Sequence, residues 1–134
     1  MGKQIHALLV DDDEALLRLF GGYLNKAGFE MIYAHDGNEG HDLARKLLPD
    51  VILLDLNLPV IDGYQVCARL KKEKATKHIP LIILSSSDIS KEAEMLFRQI
   101  GIDDYIHKSV QSDELVKRVK TVLEKRTEII SSSP

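Results

Sequence analysis

Four short, mainly apolar runs mark the chain, and each stops at a polar residue. Residues 5–10 end before Asp11, 51–54 before Asp55, 81–84 before Ser85, and 105–107 before Lys108. Apolar runs of this length, bounded by turn formers, read as buried strands. A further strand is expected over 29–34, closed by Asp36 and Gly37. Between the strands the spacing turns helical. Leu16, Leu19, Phe20, Tyr23 and Leu24 mark a first helix that Asp12 or Asp13 can cap and Gly28 can stop. A weaker second helix is expected over about 38–48, with Gly40 inside it and Pro49 behind it. Val66, Cys67 and Leu70 mark a third, which runs into the basic stretch 71–77. Pro80 opens the fourth strand. Ala93, Leu96, Phe97 and Ile100 mark a fourth helix before Gly101, and 103–107 form a short fifth strand. Leu115, Val116, Val119, Val122 and Leu123 mark the last helix. Residues 128–134 show no period and read as a frayed end or the start of a linker.

Five strand–helix units predict an α/β fold with a parallel sheet and right-handed crossovers. They fit an open doubly wound sheet and are too few for an eight-fold barrel. Such sheets bind ligands at the carboxyl ends of their strands. Asp11, Asp12, Asp55, Ser85 and Lys108 should therefore meet at one edge.

Two adjacent inward-facing carboxylates repel each other unless a cation neutralises them. Mg²⁺ suits Asp11 and Asp12, because it takes one or two carboxylates, phosphate oxygens and several waters. Helix capping is the other reading of the acidic triplet, but it needs only one of the three residues. A carboxylate at Asp55 can act as a nucleophile and form an acyl phosphate. The Ser85 hydroxyl can donate to a phosphoryl oxygen, and Lys108 can pair with one as a point charge. Each of these residues also has an ordinary role as a turn, loop or surface residue. Matching polar groups at four of five strand ends make the joint reading the stronger one.

Composition narrows the class. The 134 residues are enough for one domain. Apolar residues at 44% and charged residues at 29% are ordinary for a soluble globular protein. A formal net charge of −3 offers no basic face for nucleic acid. Cys67 is the only cysteine, so no internal disulfide can form, and a reducing compartment is expected. No apolar run approaches the ~20 residues of a membrane span. The start of the chain lacks the apolar core of a signal peptide. A cytoplasmic location is therefore expected, with no membrane partner. The histidines His6, His35, His41, His78 and His107 show no metal-binding spacing. No Gly-rich phosphate loop follows the first strand, which argues against Rossmann and P-loop nucleotide binding.

The motifs at 9–13, 53–59 with Asp62 and Gly63, 80–85 and 101–108 together resemble the receiver domain of bacterial two-component response regulators. The resemblance runs over 4–125, leaving 126–134 as a tail or the start of a linker. It implies a flavodoxin-like (βα)5 three-layer sandwich with strand order 2-1-3-4-5. It also implies that Asp55 is the phosphoacceptor. Asp11 and Asp12, with Asp55 and the backbone carbonyl of Asn57, would hold Mg²⁺. Ser85 and Tyr105 match the switch positions, and Lys108 matches the family's lysine. A domain of this kind takes a phosphoryl group from a histidine kinase or phosphotransfer protein. It then changes its surface for a downstream protein or a fused output domain. The only chemistry implied is Mg²⁺-dependent self-phosphorylation and autodephosphorylation, not enzymatic turnover.

Ser109 departs from the pattern, since the family usually has a proline after the lysine, joined by a cis bond. A cis bond before a non-proline residue costs ~3–4 kcal/mol. A trans Lys108–Ser109 bond with a shifted loop is therefore expected, or a cis bond kept under strain, and either would weaken the reach of Lys108. Gly21 and Gly22 are expected on the outward face of the first helix, where a bare surface would admit a kinase helix. Two other functions stand against the receiver. A phosphatase of the haloacid dehalogenase type would want a second Asp where Asn57 stands, and a cap for which the chain has no room. A pseudo-receiver would act as an unphosphorylated binding module, which Ser109 favours and the acidic residues oppose.

Overall fold

The computed structural model describes residues 3–58 and 61–132. The elements alternate as expected: β1 (His6–Val10), α1 (Glu14–Lys26), β2 (Glu30–Ala34), α2 (Gly37–Leu47), β3 (Val51–Asp55), α3 (Gly63–Lys72), β4 (Leu81–Ser85), α4 (Lys91–Gln99), β5 (Asp104–His107) and α5 (Ser112–Ser132). All four strand pairings are parallel, and the order is β2-β1-β3-β4-β5. β3 lies at the centre, with β1 beside it. Their register pairs Val10 with Leu54, so Asp11 and Asp55 leave the sheet side by side.

Side chains alternate across a strand, and here the alternation feeds two cores. Leu8, Val10, Ile52, Leu54, Leu81 and Ile83 pack on one face with Ala44 of α2 and Val66, Cys67 and Leu70 of α3. Ala7, Leu9, Val51, Leu53, Ile82 and Leu84 pack on the other with Leu17, Phe20 and Leu24 of α1 and Leu115, Val119 and Val122 of α5. The continuous apolar character of β3 and β4 thus reflects burial on both faces. α4 is the least embedded helix, burying only Phe97 among its residues, while Met95 and Leu96 are exposed.

The start of α1 is as expected, and the ends of α2 and α5 differ. Asp13 is the cap of α1, its side chain accepting from the N–H groups of Ala15 and Leu16. α2 ends one residue early, because Leu48 turns into the left-handed region at φ 46° before Pro49. α3 stops at Lys72, so the rest of the basic stretch lies outside it. α5 runs on to Ser132, through a stretch where lack of apolar period suggested a frayed tail. Helix continuation needs only backbone bonds and tolerable propensity, which a search for periodicity does not see. Of the expected tail, Ser133 and Pro134 lie outside the described residues, as does Pro59 of the loop after β3.

Gly21 corrects a second expectation. It is buried rather than outward-facing, and a Cβ there would run into the ring and hydroxyl of Tyr33 on β2. Gly22 does face open space. Only one of the two glycines therefore belongs to a bare outer surface.

Candidate functional site: an acidic pocket at the sheet edge

The strand ends bring the expected residues together. Asp11 is fully buried, Asp55 nearly so, and Asp12 is exposed. One carboxylate oxygen from each lies within 4.8 Å of the others. The acidic triplet has divided its work. Asp13 caps α1, and its N–H donates to Asp11 Oδ1 at 2.9 Å. Asp11 Oδ2 is then left pointing into the pocket. Asp55 Oδ1 accepts from the N–H of Asn57 at 3.1 Å.

Lys108 reaches both buried carboxylates. Its Nζ lies 3.0 Å from Asp11 Oδ2 and 3.1 Å from Asp55 Oδ1. No peptide bond among the described residues is cis, so the Lys108–Ser109 bond is trans as expected. The weakened reach anticipated for Lys108 is not seen. The ion pair does not fully satisfy Asp11, because Oδ2 is buried and has no aligned hydrogen bond.

The electrostatics follow from this geometry. Burial pushes the Asp11 carboxyl above the usual carboxylate range. Asp55 adds to the rise, while the Asp13 N–H and Lys108 oppose it. Burial also works against the Lys108 ammonium. Its contacts with Asp11 and Asp55 outweigh this, and its pKa stands above the ordinary lysine value. One ammonium thus serves two buried carboxylates, with the exposed Asp12 beside them. The pocket carries excess negative charge, and a small divalent cation suits it. An unsatisfied buried oxygen and an all-oxygen donor set both fit such an ion.

Ser85 and Tyr105 sit at the same edge but do not point at the carboxylates. Ser85 is buried, and its Oγ donates to Ser87 O at 2.6 Å. Its carbonyl accepts from Lys108 N–H at 2.8 Å, tying β4 to the turn that carries the lysine. The half-buried Tyr105 is hydrogen-bonded to Glu94 of α4. Gly63, which the sequence analysis named only as part of a motif, contributes to the frame. A Cβ there would stand 2.6 Å from Asp55 O, so only glycine lets α3 begin against the end of β3. His35, which the lack of metal spacing leaves as a structural or surface residue, bridges the starts of α1 and α2. Its Nε2 lies 2.6 Å from Glu14 and its Nδ1 3.2 Å from Glu39. Its exposure fits the surface reading, but a sequence scan for metal spacing could not see the bridge.

A doubly wound sheet with buried carboxylates at its inner strand ends, and a lysine bridging them, defines a flavodoxin-like fold with a charged pocket suited to a cation. The comparisons agree. The family model for the response regulator receiver domain matches residues 7–120, and the chain belongs to that family. It is 35% identical over 95% of its length to the DNA-binding dual master transcriptional regulator RpaA of Synechocystis, covering 56% of that protein. It is 36% identical over 99% of its length to the alkaline phosphatase synthesis transcriptional regulatory protein PhoP of Bacillus subtilis, covering 53%. The chain thus spans about half the length of these curated relatives. Among solved structures, it is similar to a response regulator of Chloroflexus aurantiacus, at 34% identity and a TM-score of 0.84, with 91% of this chain and 99% of that one covered. It is also similar to the chemotaxis response regulator CheY4 of Vibrio cholerae, at 27% identity and a TM-score of 0.83, with 90% and 99% covered. No helix among the described residues is long and apolar enough to cross a membrane.

Proposed function

We propose that Asp55 accepts a phosphoryl group from a histidine of a kinase or phosphotransfer protein and that the modified domain acts on a downstream partner or fused output domain. The observation that carries this is the position of Asp55. It ends the central strand β3, buried, between Asp11 and Lys108. In transfer, the donor's N–P bond breaks, a bond forms from an Asp55 carboxylate oxygen to phosphorus, and the freed imidazole takes up a proton. Water later cleaves the acyl phosphate. Asp11, Asp12, Asp55 and the carbonyl of Asn57 would hold Mg²⁺, which when bound neutralises carboxylate and phosphoryl charge.

The chain's own residues do the rest by position and charge. Lys108, already beside Asp55, exchanges a carboxylate contact for a phosphoryl oxygen. Ser85 turns its hydroxyl from Ser87 O to another phosphoryl oxygen. The space it leaves admits Tyr105, which must first release Glu94. This couples the pocket to the surface of α4, β5 and α5 as a two-state element biased by a local charge. The working unit is residues 4–125, in the cytoplasm. The alternative of an unphosphorylated binding module gains nothing from Ser109, because Lys108 keeps both its contacts.

Incubation with acetyl phosphate and Mg²⁺, followed by intact mass, tests the reading. The wild type should gain one phosphoryl group and Asp55→Ala none. An unmodified wild type, or equal labelling of Asp55→Ala, overturns it.

A further inference from the structure

The turn that presents Lys108 is closed at every backbone donor. Lys108 N–H donates to Ser85 O at 2.8 Å, and Val110 N–H donates to His107 O at 3.0 Å, closing a β-turn over 107–110. Between them, Ser109 N–H donates to His107 Nδ1 at 3.1 Å. Ser109 Oγ lies 2.8 Å from the same nitrogen. A backbone N–H can only donate, so Nδ1 carries the lone pair and the ring proton sits on Nε2. A side chain at the first turn position that accepts from the N–H two residues on is the device by which Asn and Asp fix turns. Here an exposed imidazole at the end of β5 performs it. The bond depends on Ser109 keeping an N–H, which a proline at that position would lack.

The residue enclosed by this double closure is Lys108, whose ammonium must span to two carboxylates on β1 and β3. A long, flexible side chain is only as well placed as the backbone it leaves. We propose that His107 is a positioning residue for Lys108. Its Nδ1, by holding the Ser109 N–H, fixes the turn from which the ammonium reaches Asp55. This rests on the phosphoacceptor reading above, since Lys108 is there the group that meets the phosphoryl oxygens.

The test compares wild type, His107→Ala, His107→Asn and Ser109→Ala in three measurements. These are the rate of phosphorylation by acetyl phosphate, the affinity for beryllofluoride as a phosphoryl mimic in the presence of Mg²⁺, and the affinity for Mg²⁺ alone. Losing one neutral hydrogen bond should lower the phosphorylation rate and the beryllofluoride affinity of His107→Ala by about threefold to tenfold. Its Mg²⁺ affinity should not fall, because the carboxylates are untouched. Asn can accept from the same N–H, so His107→Asn should recover most of the loss. Ser109→Ala keeps the N–H and should stay close to wild type. A His107→Ala protein equal to wild type, or an Asn variant as impaired as the Ala variant, overturns the inference. So does an equal loss in Mg²⁺ affinity, which would mark a general disturbance of the pocket. A wild type that takes no phosphoryl group overturns the proposed function and this inference with it. A wild type that is labelled while His107→Ala matches it overturns the inference alone.

Discussion

The ammonium of Lys108 stands 3.0 Å from Oδ2 of Asp11, a buried oxygen that no aligned hydrogen bond satisfies. One cation shared between two buried carboxylates leaves the pocket overcharged. Neutralising one carboxylate should therefore stabilise the metal-free fold, although it damages the site. The Asp11 carboxyl titrates above its ordinary value of 3.8, chiefly through burial. Stability therefore falls as pH rises from that value through the folded pKa, and the deficit persists in full at neutral pH. Asp11→Asn removes it and should raise stability by about 1 kcal/mol at neutral pH in chelator. Thermal unfolding with and without Mg²⁺ checks this. The variant should unfold later without Mg²⁺ and gain less from adding it. A variant less stable than wild type in chelator would show that the pocket is not overcharged.

Adjacent glycines in α1 should respond in opposite directions. Gly22 faces open space, so Gly22→Ala should add about 0.5–1 kcal/mol through helix propensity alone. A methyl group at Gly21 meets the Tyr33 ring, which must swing away from the helix. Gly21→Ala should cost about 1 kcal/mol, as overpacking of a formed contact does. Chemical denaturation of the two variants, and of Gly21→Ala combined with Tyr33→Ala, separates the effects. In the double variant the alanine at 21 should no longer be unfavourable. Stabilisation by both single substitutions would show that Tyr33 moves at no cost.

The contrast between those glycines also shows what the sequence could carry. Helical spacing located α1, but which side of it β2 covers depends on a contact between residues twelve apart in the chain. The strand ends were legible because a parallel sheet aligns them by register: Val10 opposite Leu54 necessarily puts Asp11 beside Asp55. The motif gave Asp11 and Asp12 to the ion, but the choice of cap between Asp12 and Asp13 was not legible. It is made by hydrogen bonds, with Asp13 taking the cap and thereby freeing the other two. Ser109 was read as a loss, because a missing proline is visible in sequence and a gained N–H···Nδ1 bond is not. The reach of α5 to Ser132 was missed for a similar reason, since periodicity reports burial, whereas continuing a helix needs only backbone bonds.

His35 should make a pH-dependent contribution where it bridges the starts of α1 and α2. Its hydrogen bond to Glu39 and its contact with Glu14 hold the imidazole above its ordinary value of 6.5. The sign follows from linkage: the stabilisation is fully present below that value and is lost as pH rises through the folded pKa. The group is exposed, so the stability effect is small and screened by salt. An NMR titration of the ring protons should give a midpoint above 6.5 that falls towards it in Glu39→Gln, and more weakly in Glu14→Gln. Identical midpoints in all three proteins would mean that the bridge does not form in solution.

Tyr105 should report the switch through its own hydroxyl. The hydrogen bond to Glu94 raises the phenol above its ordinary value of 10.0, and the same bond lowers the Glu94 carboxyl below 4.5. Each group therefore reads the other. Selective ¹³C labelling of tyrosine allows its ring carbon to be followed with pH, with Tyr105→Phe assigning the signal among four tyrosines. In the unmodified protein the Tyr105 midpoint should exceed 10.0, and Glu94→Gln should lower it. Beryllofluoride with Mg²⁺ should break the same bond if Ser85 turns inward and Tyr105 follows. The Glu94 carboxyl would then lose its main stabilising donor and titrate at higher pH. Ser85→Ala leaves the space open without any ligand, so in that variant the Tyr105 signal should move part of the way unprompted. A Tyr105 environment that stays the same in wild type, in the beryllofluoride complex and in Ser85→Ala would show that the tyrosine is fixed on α4. The signal would then have to leave the pocket by another route.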